Sequence, residues 1–114
     1  MSDCLFCKIV TGDIPASKVY EDEDVIGFND INPQAPHHVL FIPKRHISTL
    51  NDLQDSDAEL LGKLYLAAKQ HAAELGVADA GYRTVMNCNA LSGQTVFHIH
   101  LHMLAGRAMH WPPG

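Results

Sequence analysis

A chain of 114 residues, 46% hydrophobic and 18% charged, has the size and composition of one globular domain spanning residues 1–114, and lacks the high charge of a disordered chain or an apolar run long enough to cross a bilayer. Its formal charge of −5 disfavours broad binding to nucleic acid and leaves room only for a local phosphate site. Three cysteines, at positions 4, 7 and 88, with no basic-then-apolar leader before them, argue against a disulfide framework and for a reducing, cytoplasmic compartment.

The chain opens with a short helix over residues 3–11. Asp3 is placed to cap it, Leu5, Phe6, Ile9 and Val10 recur at helical spacing, and Gly12 stops it. Ile14-Pro15 begins an extended connection. Residues 18–21 and 25–29 are short strands, and the polar Asp22-Glu23-Asp24 between them makes a hairpin. Residues 30–36 form a turn-rich loop with Pro33 and Pro36. Residues 38–43 are a strongly apolar strand ended by Pro43. Ser56-Asp57-Ala58-Glu59 is a capping box, and Leu60, Leu61, Leu64, Ala68, Ala72 and Leu75 share one face of the long helix that follows, closed by Gly76. Residues 82–88 are a strand, 89–93 a loop of small polar residues, and 96–105 a last strand. The strands sit in pairs without repeated crossover helices. The fold class is therefore α+β: an antiparallel sheet of about five strands with one long and one short helix packed against it.

The last strand carries His98-Ile99-His100-Leu101-His102-Met103-Leu104. Strict alternation places the three imidazoles on one face. Same-face neighbours on a strand are about 6.6 Å apart and the outer two about 13 Å apart, so a shared metal ion explains two rings at best. Catalysis explains three more naturally, with one ring reacting while its neighbours orient it, move protons or hold a substrate oxygen. Partner-satisfied histidines and a metal-only row are the lesser readings. Cys4-Leu5-Phe6-Cys7 is a CxxC half-site for a metal; a redox role is less favoured, because no thioredoxin-like βαβ context surrounds it. Trp111-Pro112-Pro113-Gly114 is a bulky end for a loose tail, since an indole favours burial.

The histidine run matches the signature His-φ-His-φ-His-φ-φ, with φ apolar. Together with Phe28–Ile31, Pro33–Pro36, Ile42–Ile47, Ser92–Val96 and the Trp-Pro-Pro-Gly end, it makes the chain resemble the histidine-triad (HIT) superfamily over essentially its whole length, and the Hint branch in particular. The resemblance implies a purine nucleoside phosphoramidase. His100 would be the nucleophile toward the α-phosphorus, His102 a phosphate contact, His38 a further active-site histidine, and His98 a structural or relaying one. Asp30 would hold the ribose, Phe6, Ile9, Phe28, Ile31 and Leu40 the base, and Asn87, Gly93, Gln94, Thr95 and Val96 the phosphate region. No cofactor is needed for the chemistry. The resemblance also implies a homodimer with its sheet extended across the two chains and the 105–114 tail, with Trp111, at the boundary with the partner's active site. Some bacterial-type members complete the cysteine pair with two histidines, here His46 and His98, around a structural zinc; eukaryotic-like Hint proteins commonly lack the pair. Zinc is left open by this mixture of features.

Overall fold

The structure, a computed structural model, describes residues 3–114. The elements run α1 (Leu5–Thr11), β1 (Lys18–Glu21), β2 (Val25–Asn29), β3 (His37–Pro43), α2 (Ala58–Leu75), β4 (Tyr82–Val85) and β5 (Leu101–Ala105). The five strands form one antiparallel sheet in the order β1-β2-β3-β5-β4. This is the α+β architecture expected of the sequence.

Strand β3 explains the layering. Its residues alternate across the sheet, so Val39 and Phe41 enter one core with Val25, Leu101, Met103 and the α2 residues Leu64, Ala67, Ala68 and Ala72. Leu40 and Ile42 enter a second core with Ile26, Phe28 and the α1 residues Phe6 and Ile9. The two helices thus lie on opposite faces, and β3 reads as a continuous apolar run because both its faces are covered. Gly27 on β2 allows the close packing: a β-carbon there would stand 2.7 Å from the Phe41 ring.

Local chemistry moves several boundaries. Helix α1 starts after Cys4, and Cys4 replaces Asp3 as its cap, accepting the Cys7 amide on Sγ at 3.4 Å. Helix α2 starts at Ala58 behind a 3₁₀ turn, Asp55–Asp57, instead of at a Ser56 cap. The buried Asp57 carboxylate accepts the Gln54 amide at 2.8 Å and pairs with Arg45. Gly76, at φ 76°, closes α2 as expected.

The largest correction concerns the histidine strand, which covers only Leu101–Ala105 and not 96–105. The cause is Pro43. β3 pairs with β5 through Phe41↔Leu101, and the next rung in that register would set Ile99 opposite Pro43, which has no N–H to give. The chain departs there: the Ile99 amide goes to the Ile47 carbonyl at 2.8 Å. The three histidines therefore do not form a row on one strand. β4 also ends near the start of β5: Val85 pairs with His102, and in that register residues 87 and 88 would lie beyond Leu101, where β5 begins.

Candidate active site and metal centre

Between α1 and the sheet lies a cavity of about 590 Å³ whose walls include Phe6, Ile9, Phe28, Ile31, Leu40, Asp30, Thr95, Val96, His100 and His102. Ten residues singled out from the sequence thus meet in one place. Leu5, Ile14, Pro15, Ala16, Ser17 and Asn29 complete the wall. For residues 14–17 the sequence signal is the extended Ile14-Pro15 segment, which crosses from α1 to β1 and so borders what lies under the helix. Asn87, Gly93 and Trp111 are not among the lining residues, and Trp111 is 82% exposed in the single chain. Gln94 is buried and its amide is committed inward. It donates to the carbonyls of Ser48 at 2.9 Å and Val96 at 3.1 Å and accepts the Asn89 amide at 2.7 Å. Its side chain frames the 89–96 loop that presents Thr95.

Hydrogen bonds to the backbone fix the state of each ring, because a carbonyl can only accept and an amide N–H can only donate. His98 Nε2–H donates to the Pro43 carbonyl at 2.7 Å, which leaves its lone pair on Nδ1. His100 Nδ1–H donates to the His98 carbonyl at 2.8 Å, which leaves its lone pair on Nε2. The Gln34 amide donates to His38 Nδ1 at 3.0 Å, so the His38 proton is on Nε2. That proton faces His102 Nδ1 at 2.9 Å, and His102 in turn carries its own proton on Nε2. Burial holds His98 and His102 down to about 4 from the ordinary 6.5, and burial also lowers His38 and His100. All four rings are neutral at pH 7, each in one tautomer.

Among the described residues, two groups of side chains have metal-ligand spacing. Cys4, Cys7, His46 and His98 place their donor atoms within 4.8 Å of one another. His98 Nδ1 is 3.5 Å from Cys4 Sγ, 3.6 Å from Cys7 Sγ and 3.3 Å from His46 Nδ1. The donor chemistry fits a tetrahedral ion: two sulfurs, two imidazoles, and His98 oriented by its other nitrogen on a carbonyl. Asp30, His38 and His102 form the second group. Here the chemistry does not fit, since a neutral His38 whose Nδ1 accepts the Gln34 amide has no lone pair on Nε2 to give a metal. His38 and His102 are instead hydrogen-bonded to each other, with the Asp30 carboxylate beside them, its Oδ2 3.5 Å from His38 Nε2. His98 thus turns its ring to the cysteines and lends only its carbonyl to His100.

Comparison with known proteins identifies the family. Residues 3–111 match the family model described as scavenger mRNA decapping enzyme C-term binding. The chain is 52% identical over 112 residues to an uncharacterized HIT-like protein of Synechocystis, covering 98% of this chain and 97% of that protein. It is 47% identical over 115 residues to the 14 kDa zinc-binding protein of Zea mays, covering 99% of this chain and 89% of that one. It superposes on the crystal structure of a HIT family hydrolase from Legionella pneumophila with a TM-score of 0.97 and 54% identity, covering 98% and 100% of the two chains. By sequence, by fold and by its three alternating histidines, the chain belongs to the histidine-triad superfamily.

Proposed function

We propose that the protein is a purine nucleoside phosphoramidase that works through His100. The observation that supports this most directly is the tautomer of His100, which lines the cavity with its Nδ1 proton held by the His98 carbonyl. A neutral ring so held is a ready nucleophile without first losing a proton. In the proposed reaction Nε2 attacks the α-phosphorus of a nucleoside 5′-phosphoramidate. The P–N bond breaks, and the departing nitrogen takes up a proton and leaves as the amine. The nucleotidyl-histidine is then attacked by water, which gives AMP or GMP and returns the ring to its neutral form. The His98 carbonyl stabilises the positive charge the ring carries in the intermediate, and the Nε2–H of His102 is a donor for the phosphoryl oxygens.

The rest of the cavity suits a nucleoside. Phe6, Ile9, Phe28 and Leu40 offer an apolar slot for a purine, and the Asp30 carboxylate is an acceptor for ribose hydroxyls. No metal enters this chemistry. Zinc at Cys4, Cys7, His46 and His98 would be structural, because four protein ligands leave no open position. A homodimer that places Trp111 at the partner's cleft, in a cytoplasmic protein, completes the reading; among the described residues no helix is long and apolar enough to cross a membrane.

The test is turnover of adenosine 5′-phosphoramidate by the purified protein beside His100→Ala. The expected result is AMP release that falls by at least about a hundredfold in the variant, on the scale of losing a catalytic side chain. A folded wild type that binds AMP but releases none from the phosphoramidate would make the protein a nucleotide-binding module instead.

A further inference from the structure

Cys4 and Cys7 belong to the metal centre, and Phe6 and Ile9 to the nucleotide cleft, yet all four lie on or at the cap of the same seven-residue helix. A helix that short is not stable alone in water. It keeps its shape only where it is docked. Among the described residues, the backbone hydrogen bonds of α1 and its flanks stay within residues 4–14. Two buried side chains, Phe6 and Ile9, enter the sheet face. Among the described residues, side-chain hydrogen bonds reach the rest of the fold from Cys4 and Cys7, to His46 and His98.

From this placement we infer that a divalent metal at the Cys4–Cys7–His46–His98 centre controls nucleotide affinity, by latching α1 onto the sheet as one wall of the cleft. The inference rests on the two readings above, that the centre binds zinc and that the cleft binds a purine nucleotide.

Phe6 is the link. It stands between the two cysteines in sequence, and its ring meets His98 edge-on at 6.0 Å, on the metal side, and His100 at 5.1 Å, on the cleft side. It also packs edge-on against Phe28, another wall residue, at 5.5 Å. The metal's ligands come from three segments. Two of these, around His46 and His98, are already joined by the Ile99 amide on the Ile47 carbonyl. Among the described residues no backbone hydrogen bond is seen to join α1 to the sheet, so it is the segment whose position the ion would fix most. The sheet does not depend on it: its larger core, on the α2 face, contains no residue of α1. Coupling of this kind is reciprocal, so the nucleotide must tighten the metal by the factor with which the metal tightens the nucleotide.

The experiment titrates AMP into zinc-loaded and chelator-stripped full-length protein by calorimetry, and measures zinc affinity against a chromophoric chelator with and without saturating AMP. AMP is expected to bind the stripped protein about tenfold more weakly, and zinc to weaken by the same factor when AMP is absent. The sheet signal in circular dichroism and its thermal transition persist in the stripped protein. Cys7→Ser, with zinc present, reproduces the stripped affinity. Two ligands that both bind without affecting each other would overturn the inference and leave both readings standing. Loss of the sheet on stripping would also overturn it, since the metal would then hold the whole fold and not α1. Failure to take up zinc refutes the metal reading, and failure of both forms to bind AMP refutes the nucleotide reading; either removes the inference with it.

Discussion

His98, His100 and His38 are each held by a backbone group that cannot change roles, and His102 is set in turn by His38; the burial of these rings has a consequence for stability. His102 titrates at about 4 in the folded protein against 6.5 for an unperturbed ring, chiefly because burial penalises its charged form. Above pH 6.5 the ring is neutral in both folded and unfolded chains, and its contribution is fully present. As pH falls toward 4 the unfolded chain takes up a proton that the folded one refuses, so stability is lost across that window and no further below it. His38, lowered for the same first reason, acts in the same direction. The melting temperature is therefore expected to drop between pH 7 and 4.5, and to drop less in His102→Asn. An equal slope in wild type and variant would show that His102 is not the group responsible.

At the scale of elements, the loop between β4 and the histidine segment is the strained one. Asn89 sits at φ 67° and ψ −177°, a region that side-chain-bearing residues rarely occupy, at a cost of about 1–3 kcal/mol. It is kept there by Gln94, whose amide oxygen accepts the Asn89 N–H, and by Ser92, whose hydroxyl donates to the Asn89 carbonyl at 2.8 Å. Asn89→Gly relieves the strain and loses some backbone entropy, for a net gain of about 1 kcal/mol, read as a higher midpoint in urea. A lower midpoint would mean that the Asn89 side chain contributes more than its backbone costs. Strain of this kind was not legible in the sequence, where residues 89–93 read only as a loop. Much else was. The period of α2, the apolar strand at 38–43 and the hairpin at Asp22–Asp24 follow from residue spacing and turn chemistry. The histidine strand was misread at its start because alternation alone cannot show that a proline on the opposite strand ends the ladder. The same proline shows why: its carbonyl takes His98 Nε2, which turns that ring away from the other two and toward the cysteines.

For the molecule as a whole, the single tryptophan of the chain is a reporter. Trp111 is 82% exposed in one chain, and the proposed dimer buries it against a partner. Its fluorescence is expected to shift to the red on dilution through the dimer's dissociation range, in step with the sedimentation coefficient. Emission that stays at one wavelength while sedimentation reports dissociation would place the indole away from the interface. The order of strands carries a last consequence. β1, β2 and β3 are neighbours in sequence and can pair early, whereas β5 must return across 64 residues to bring His102 to His38. Closing so long a loop is slower than forming a hairpin. The His38–His102 pair is thus a late product of folding: a chain that has built its first three strands and α2 already holds His38, but lacks the ring it donates to until its C-terminal third arrives. A chain cut short before β5 would also lack the strand that covers one edge of β3.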